Sequence, residues 1–474
     1  MGAFTQLLHR LRGVFTLPRY NRQCEACKKA GEAVNNRRGK RLGAALLCGL
    51  LLFFAATPPA LAETEKTAAV SGMVADDAGL GLVSQVIFTG DGLLRRVNTD
   101  MLGRFSLRLP LGTYTMEITK GSEYERLTVP VNVADRKAKT LGAYTLERLY
   151  ATDWLAGDLH QHSVYSFDGK NSPAEIVLSD LAAGLSFGVL TDHNDVRGNA
   201  EYLTAARYGF LPVAGVEVTT DRGHFNAIHC NVPIDWSTAN GAQDVSRIIA
   251  AVRAVPGALV QINHPTRTEF PFVDTALTPQ FDLYELWNGK RAAPYVEGEP
   301  NALALKEWFA LLNEGLFLPA TAGSDNHDID GNLLFSSAES AAPDALYYLT
   351  SMYSGMPRTY AYAPEKTVEA VLAALSAGHS FLTNNPLAYF TVNGAMPGEA
   401  APAGDCLLRV RLQSNRGLTK YRIYVNGELW LEEAVAGMEV DATHSVSLAA
   451  GDWAVLMALG EFGDCAITNP VFIK

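Results

Sequence analysis

The sequence predicts an α/β fold, a sheet with helical crossovers flanked on each side by a small all-β region. Three observations carry that reading. Between Trp154 and Asn385, apolar runs of strand length alternate with helical patterns. Before and after that stretch, only strand-like alternation and turn residues recur. Finally, histidines and carboxylates fall repeatedly at the C-terminal ends of the predicted strands, the edge where α/β sheets and barrels assemble their sites.

The chain has 474 residues, 48 % of them apolar and 19 % charged, enough for several domains and a large core. That composition excludes a disordered, collagen-like or disulfide-framework protein. The net charge of −11 is unevenly spread. Residues 1–41 carry ten Lys/Arg against Glu25 and Glu32, and residues 42–62 carry no charge. From Glu63 onward, 29 basic residues face 48 acidic ones. A body so acidic is a poor general binder of nucleic acid or anionic membrane.

The N-terminus reads as a secretory signal over 1–62. Arg37-Arg38-Gly39-Lys40-Arg41 precedes the apolar run Leu42–Ala56, and Ala60-Leu61-Ala62 forms a small-x-small site before Glu63. The run is shorter than the ~20 residues of a membrane span. Cleavage after Ala62 is expected; an uncleaved signal would remain as an anchor. The basic leader is long for such a signal, which points to a translation start near Val34 and leaves Cys24-x-x-Cys27 outside the protein. Even if translated, that pair is half a zinc site. Export leaves Cys230, Cys406 and Cys465, an odd count that excludes a full disulfide framework. Cys406 and Cys465 could pair within the last region in an oxidising compartment, and the sequence leaves that pairing open.

Over 63–148, strands are predicted at Val70–Val74, Gln85–Phe88, Phe105–Leu109, Thr113–Ile118 and Arg126–Val133, with Gly, Asp and Asn in most gaps. Thr99-Asp100-Met101-Leu102-Gly103-Arg104-Phe105, followed by Pro110-Leu111-Gly112-Thr113-Tyr114, resembles the carboxypeptidase regulatory-like β-sandwich family. The resemblance implies an accessory module dispensable for turnover, and the region contains no His or Cys.

Over 149–385, Ser172-Pro173-Ala174-Glu175 is a capping box with proline at the first helical position. Its helix stops at Gly184, and Phe187–Leu190 follows as a strand. Helices near Val196–Tyr208, Asp244–Val255, Asn301–Asn313 and Glu365–Ala377 lead into strands Pro212–Val218, Ala258–Ile262, Phe317–Ala320 and Ser380–Thr383. This alternation argues a parallel sheet, open or closed into a barrel. Over 386–474, Leu407–Leu412, Lys420–Val425, the Asn426-Gly427 turn and Trp453–Ala458 read as a second small β-sandwich.

Seven of the nine histidines after the signal lie between His160 and His327. Leu155–Leu159 runs into His160-Gln161-His162, and Phe187–Leu190 into Thr191-Asp192-His193. Pro212–Val216 meets Glu217, Ala258–Ile262 meets Asn263-His264, and Phe317–Ala320 leads to Gly323-Ser324-Asp325-Asn326-His327. Imidazoles mixed with carboxylates suit zinc, manganese or iron. A strand places residues i and i+2 on one face, so His160 and His162 can serve one site.

These motifs, in this order, resemble the PHP superfamily of metallohydrolases. Gly223-His224-Phe225-Asn226, Leu286-Trp287-Asn288-Gly289 and the flanking β regions resemble its CehA/McbA-like branch, which includes carbamate hydrolases. The resemblance implies a PHP-type distorted (β/α) barrel holding two or three divalent ions (Zn, Mn or Fe). By position, one ion would take His160, His162, Glu217 and Asp325. A second would share Glu217 as a bridge and add His224 and His264. A third would use His193 and His327, with Asp168 standing where relatives often have a histidine. His229 competes with His224. Catalytic roles would fall to Asp192, Glu217 and His264, with Asp192 either acting directly or orienting an imidazole. Arg197, Arg222 and Arg267 follow strand ends and are candidates for binding an anionic substrate. Asn288 is a candidate substrate contact or a strand-end cap.

No nucleophile elbow, Walker A loop or Cys–His pair competes with this reading. The expected function is an exported hydrolase using metal-activated water on small-molecule phosphoesters. The alternatives are carbamate, ester or amide cleavage, or a metal-holding binding protein without catalysis. Neither nucleic acid nor a stable membrane span is an expected partner.

Overall fold

The computed structural model describes residues 66–90, 92–289, 292–329, 333–334 and 353–474. The expected signal peptide and Cys24-x-x-Cys27 lie outside them. Among the described residues no helix is long and apolar enough to cross a membrane.

The first region holds seven strands: β1 (Thr67–Ala75), β2 (Gln85–Gly90), β3 (Leu93–Asn98), β4 (Arg104–Pro110), β5 (Gly112–Thr119), β6 (Leu127–Val133) and β7 (Lys139–Thr145). They form two sheets, β4-β1-β7 and β3-β2-β5-β6, around Val70, Phe88, Phe105, Tyr114 and Met116. Asp100 shapes the β3–β4 turn: its Oδ1 accepts the N–H groups of Leu102 and Arg104, each at 2.9 Å. Gly103 takes φ 75° in that turn, a conformation natural to glycine. The sequence reading omitted β3 and β7. Leu93-Leu94-Arg95-Arg96 breaks the two-residue alternation, and β7 is too exposed to carry an apolar pattern.

The second region contains β8 (Trp154–Gln161), α1 (Pro173–Ala182), β9 (Phe187–Leu190), β10 (Leu211–Thr220), β11 (Gly223–Ile228), α2 (Ala242–Arg253), β12 (Leu259–Ile262), β13 (Leu283–Asn288), α3 (Pro300–Asn313) and β14 (Ala320–Gly323). The short β15 (Leu333–Leu334) comes next, then β16 (Arg358–Tyr362), α4 (Val368–Ala377) and β17 (Ser380–Thr383). The capping box opens α1 as predicted: Ser172 Oγ accepts from Glu175 N–H, and the Glu175 carboxylate accepts from Ser172 N–H at 2.7 Å. Strands β8-β9-β10 and β12-β13-β14 pair in parallel, but β11 runs antiparallel between β10 and β12. The sequence missed β11 because Gly223-His224-Phe225-Asn226 carries polar side chains on a fully buried strand.

The sheet curls until β14 meets β8. Asp325 N–H donates to His160 C=O at 2.8 Å, and His162 N–H to Asn326 C=O at 3.1 Å. Buried Asp158 clamps this seam, accepting from Ser324 N–H at 2.9 Å and Gly355 N–H at 2.7 Å. The closure brings the ends of β8, β9, β12 and β14 to one place.

The last strands do not stand apart from this sheet. β18 (Leu387–Val392), β19 (Ala400–Ala401), β20 (Gly404–Val425), β21 (Glu428–Leu448), β22 (Trp453–Gly460), β23 (Cys465–Thr468) and β24 (Val471–Ile473) follow. β23 pairs with β17 through Phe381↔Thr468 and Thr383↔Ala466, so the sheet continues as β17-β23-β22-β20-β18 across the boundary at 385. This pairing covers an edge that β17 would otherwise expose. The Cys406–Cys465 pairing that the sequence left open is not formed. Both cysteines are buried and free: Cys406 Sγ faces Pro402 C=O on the way into β20, whereas Cys465 begins β23 opposite Leu459.

The first region is also docked. β15 pairs with β3 through Leu333↔Leu94, the Arg96 guanidinium donates to Ile329 C=O, and Asn415 Nδ2 donates to the carbonyls of Gly121 and Tyr124. These contacts argue against its being dispensable, since two of them hold the chain that follows Asp325 and His327.

Asp180 on α1 accepts from Gln161 Nε2 at 2.6 Å and from Tyr202 OH at 3.0 Å. Burial, reinforced by the charge of Asp158, pushes its carboxyl up to about 7. In the unfolded chain an aspartate titrates near ~4. Stability from this group is therefore full below about pH 4 and is lost progressively as pH rises to about 7, by roughly a few kcal/mol. Asp180→Asn keeps an acceptor for Gln161 and removes the charge. Its melting temperature should fall less than the wild type's between pH 5 and 8, and parallel curves would refute the assignment.

Candidate metal centre

Each strand end delivers its side chain for a local reason. Alternation along β8 puts His160 and His162 on one side and turns Gln161 to Asp180. The β10–β11 register sets Asn226 opposite Glu217 and His224 opposite Thr219. Asn194, His264 and Asp325, just beyond β9, β12 and β14, adopt left-handed φ values of 51°, 29° and 51°. Such conformations cost L residues ~1–3 kcal/mol each and persist where the surrounding structure holds them.

Glu217 is buried at the centre. Its Oε1 lies 3.2 Å from His160 Nε2, 3.2 Å from His224 Nδ1 and 3.4 Å from His264 Nε2. Its Oε2 lies 2.9 Å from His193 Nδ1 and 3.5 Å from His162 Nε2. Asp325 Oδ1 lies 3.2 Å from His162 Nε2, 3.5 Å from His160 Nε2 and 3.6 Å from His327 Nδ1. Asp168 reaches across the outer edge, 3.6 Å from His193 Nε2 and 3.2 Å from His327 Nε2.

Four triplets here have donor atoms close enough to share an ion: His160/His162/Asp325, His160/Glu217/His264, His193/Glu217/His224 and His162/His193/His327. The nitrogens themselves fit a cation. Nε2 of His160, His162 and His224 and Nδ1 of His264 are buried and make no hydrogen bond. Orphaned polar atoms of this kind are rare in a folded interior, and a metal ion would satisfy them.

The electrostatics agree. Burial alone would raise Glu217, but His160, His193 and His224 outweigh it and hold the carboxyl well below its usual range. Burial pushes His162 well down and His264 down. For His160 burial is overcome by Glu285, Asp325 and Glu217, and for His193 by Glu217 and Asp168, so both are raised.

The other predicted residues divide. Asp192 accepts from Ser163 N–H at 2.6 Å and from Ser163 Oγ at 2.7 Å; Ser166 Oγ, 3.2 Å away, also lies 3.1 Å from His162 Nδ1. Asp192 therefore positions His162 through Ser166. Arg267 Nη1 lies 3.3 Å from Asp325 Oδ2, and its buried Nε makes no hydrogen bond. Arg222 pairs with Asp274, and exposed Arg197 pairs with Asp195. Neither touches a candidate ligand. Asn288 is fully buried behind Asp325, donating to its Oδ2 at 3.2 Å, in place of the substrate contact considered for it. His229 sits at the far end of β11 beside Gly257, which leaves His224 in the cluster.

Sequence reasoning missed two supports. Glu285 on β13 lies 2.9 Å from His160 Nδ1 and accepts from His264 N–H at 2.7 Å. Asn263 Nδ2 donates to Glu217 Oε1 at 2.9 Å. Glu285 stands two residues before Trp287 in an unpredicted strand, and its place directly before Leu286-Trp287-Asn288-Gly289 is the one signal the sequence offers.

The PHP domain family model matches residues 158–280. No curated protein matches the chain in sequence. A two-domain protein from Bacteroides vulgatus containing a predicted PHP-like metal-dependent phosphoesterase is similar at 17 % identity and TM-score 0.39, over 65 % of this chain and 92 % of its own. A proposed metal-dependent phosphoesterase from Bifidobacterium adolescentis is similar at 18 % identity and TM-score 0.27, over 39 % and 93 %. An amidohydrolase from Chromobacterium violaceum, with sulfate bound and no metal, is similar at 19 % identity and TM-score 0.27, over 36 % and 87 %.

The outer triplet of donor atoms is His162/His193/His327; the third site expected from the sequence adds Asp168, whose side chain is 40 % exposed. Elemental analysis after dialysis is expected to find two ions per wild-type chain, with a third only at saturating manganese. Asp168→Ala should lose that third ion and keep the pair, whereas His160→Ala should empty the central triplets. Equal metal content of wild type and Asp168→Ala at saturation would remove Asp168 from the site.

Proposed function

We propose that the protein is an exported metal-dependent hydrolase of the CehA/McbA-like PHP branch, acting on phosphoesters of small molecules. One observation carries the reading: five imidazoles converge on the single buried carboxylate of Glu217, with unpartnered ring nitrogens among them. His160, His162, Asp325 and Glu217 would hold one ion; Glu217, His224 and His264 a second; His193, His327 and Asp168 a third. Zinc, manganese or iron suits these donors. Bound there, such ions supply an acidified water and polarisation of the substrate's oxygen.

The chain's own residues complete the chemistry. Glu217 stays ionised because imidazoles surround it, so it can bridge. Glu285 fixes the ring orientation of His160 by taking its Nδ1, leaving Nε2 for the centre. Arg267 lies against Asp325 and, through Nε at 3.8 Å, Glu269; as a guanidinium beside the centre it favours an anionic phosphoryl group over a neutral carbamate or amide.

A panel of phosphomonoesters, phosphodiesters, carboxyl esters and aryl carbamates, run with Zn, Mn and Fe, tests the reading. Phosphoesters should turn over fastest. Glu217→Gln should lower turnover at least a hundredfold, ~2.7 kcal/mol of barrier, and reduce metal content. Near-normal turnover in that variant with two ions bound would refute the bridge, and faster carbamate cleavage would replace the substrate class.

The export proposal rests on the basic flank, the apolar run Leu42–Ala56 and Ala60-Leu61-Ala62. N-terminal sequencing of protein recovered outside the cytoplasm should begin at Glu63. Recovery with residues before Leu42 attached would refute cleavage.

A further inference from the structure

Two phenylalanines stand in solvent beside the metal centre. Phe167 is 82 % exposed, and its ring stacks on His193 with centroids 4.8 Å apart and planes 20° apart. Phe270 is 58 % exposed and stacks on His224 at 5.0 Å and 19°. The rings of His193 and His224 lie 5.7 Å apart, edge to face. Phe167, His193, His224 and Phe270 therefore form a continuous series of rings, with a phenylalanine open to solvent at each end.

The fold gives no reason for this arrangement. An exposed phenylalanine forgoes ~1.5–3 kcal/mol of burial. Phe270 moreover holds φ at 64°, a left-handed value that a bulky residue rarely adopts. Strain of this kind gathers at ligand-contacting sites. Val164 and Val273, in the same two loops, are exposed as well. Phe270 also shares its loop with Arg267, whose guanidinium lies against Asp325. One loop thus presents a cation at the metal centre and, three residues on, an aromatic face.

Resting on the hydrolase reading above, we propose that Phe167 and Phe270 form an aromatic subsite that selects phosphomonoesters carrying a planar ring near the phosphate. Aryl phosphates and nucleoside monophosphates share that chemistry. Arg267 and the metal centre take the anion, and the rings take the planar group by stacking. The bland alternative, that the phenylalanines only shield the imidazoles, predicts no discrimination between ligands.

Calorimetry on the manganese-loaded full chain with phenylphosphonate and methylphosphonate separates the two, alongside kcat/KM for phenyl phosphate, adenosine 5′-monophosphate and ethyl phosphate. Phenylphosphonate should bind about tenfold tighter than methylphosphonate. Phe167→Ala with Phe270→Ala should collapse that ratio towards one, while Phe167→Tyr with Phe270→Tyr, which keeps the ring faces, should preserve it. A kcat/KM advantage of adenosine 5′-monophosphate over ethyl phosphate, both of which release an alkoxide, supports the subsite if the double alanine variant loses it, and its persistence in that variant counts against the subsite. Equal affinities for the two phosphonates, or a ratio that survives the double alanine variant, would overturn it. Selective binding without hydrolysis of any phosphoester would defeat the hydrolase reading and leave the subsite standing. Hydrolysis of phenyl and ethyl phosphate with equal kcat/KM would do the reverse.

Discussion

The buried charge of Glu217 is the constraint on which the rest of the centre depends. A carboxylate taken out of water costs several kcal/mol unless close partners compensate it. Five imidazoles and Asn263 surround this one. Yet imidazoles alone balance it poorly: burial drives His162 and His264 towards their neutral forms, while Asp325 and Glu285 bring further carboxylates into the same space. Arg267 is the one permanent cation the described residues place against a candidate ligand. Neutral imidazoles with unpartnered nitrogens beside surplus carboxylates make an environment suited to divalent cations. The same demand explains the fold's geometry, since β8, β9, β12 and β14 must end together around a side chain carried by β10.

A shell of acidic groups holds this arrangement, and each is tied down differently. Asp158 accepts backbone N–H groups from Ser324 and Gly355 and so fixes the seam between β8 and β14. Asp192 acts through Ser163 and Ser166, whose hydroxyl reaches His162. Glu285 spans His160 and the His264 backbone. The rings of His160 and His162 are therefore held at Nδ1 from behind, which turns their Nε2 atoms to the centre. The left-handed φ values at His264 and Asp325 belong to the same logic, because a ligand just past a strand end requires a sharp turn there.

Much of this was legible in the sequence, for identifiable reasons. The helices announce themselves by capping and periodicity, as Ser172-Pro173-Ala174-Glu175 shows, and Phe187–Leu190 and Ser380–Thr383 match their strands residue for residue. Paired imidazoles and carboxylates at strand ends carried the cluster itself. β11 and β13 escaped because buried strands that carry His224, Asn226 or Glu285 lose their apolar pattern to the chemistry they serve. The spacing at Asn288 leaves strand-end cap and substrate contact both open, because it shows a strand end but not which way the side chain turns. The continuity of β17 with β23 joins residues more than eighty positions apart, and no local pattern reports such a pairing.

The least legible feature is the coupling of the N-terminal region to the centre. Its sequence offers no ligand and resembles an accessory module, so sequence alone assigns it no part in the site. In the structure, however, Arg96 donates to the carbonyl of Ile329, two residues beyond His327. The same guanidinium lies over the ring of Tyr353, 3.2 Å from its centroid. Tyr353 is followed by Ser354 and Gly355, and the N–H of Gly355 holds Asp158 at the barrel seam. β3 in turn pairs with Leu333–Leu334. One arginine therefore touches both the chain leaving the candidate ligands Asp325 and His327 and the chain returning to β16. A region without a single candidate ligand can set the position of two of them, because the backbone that carries Asp325 and His327 is anchored on its surface.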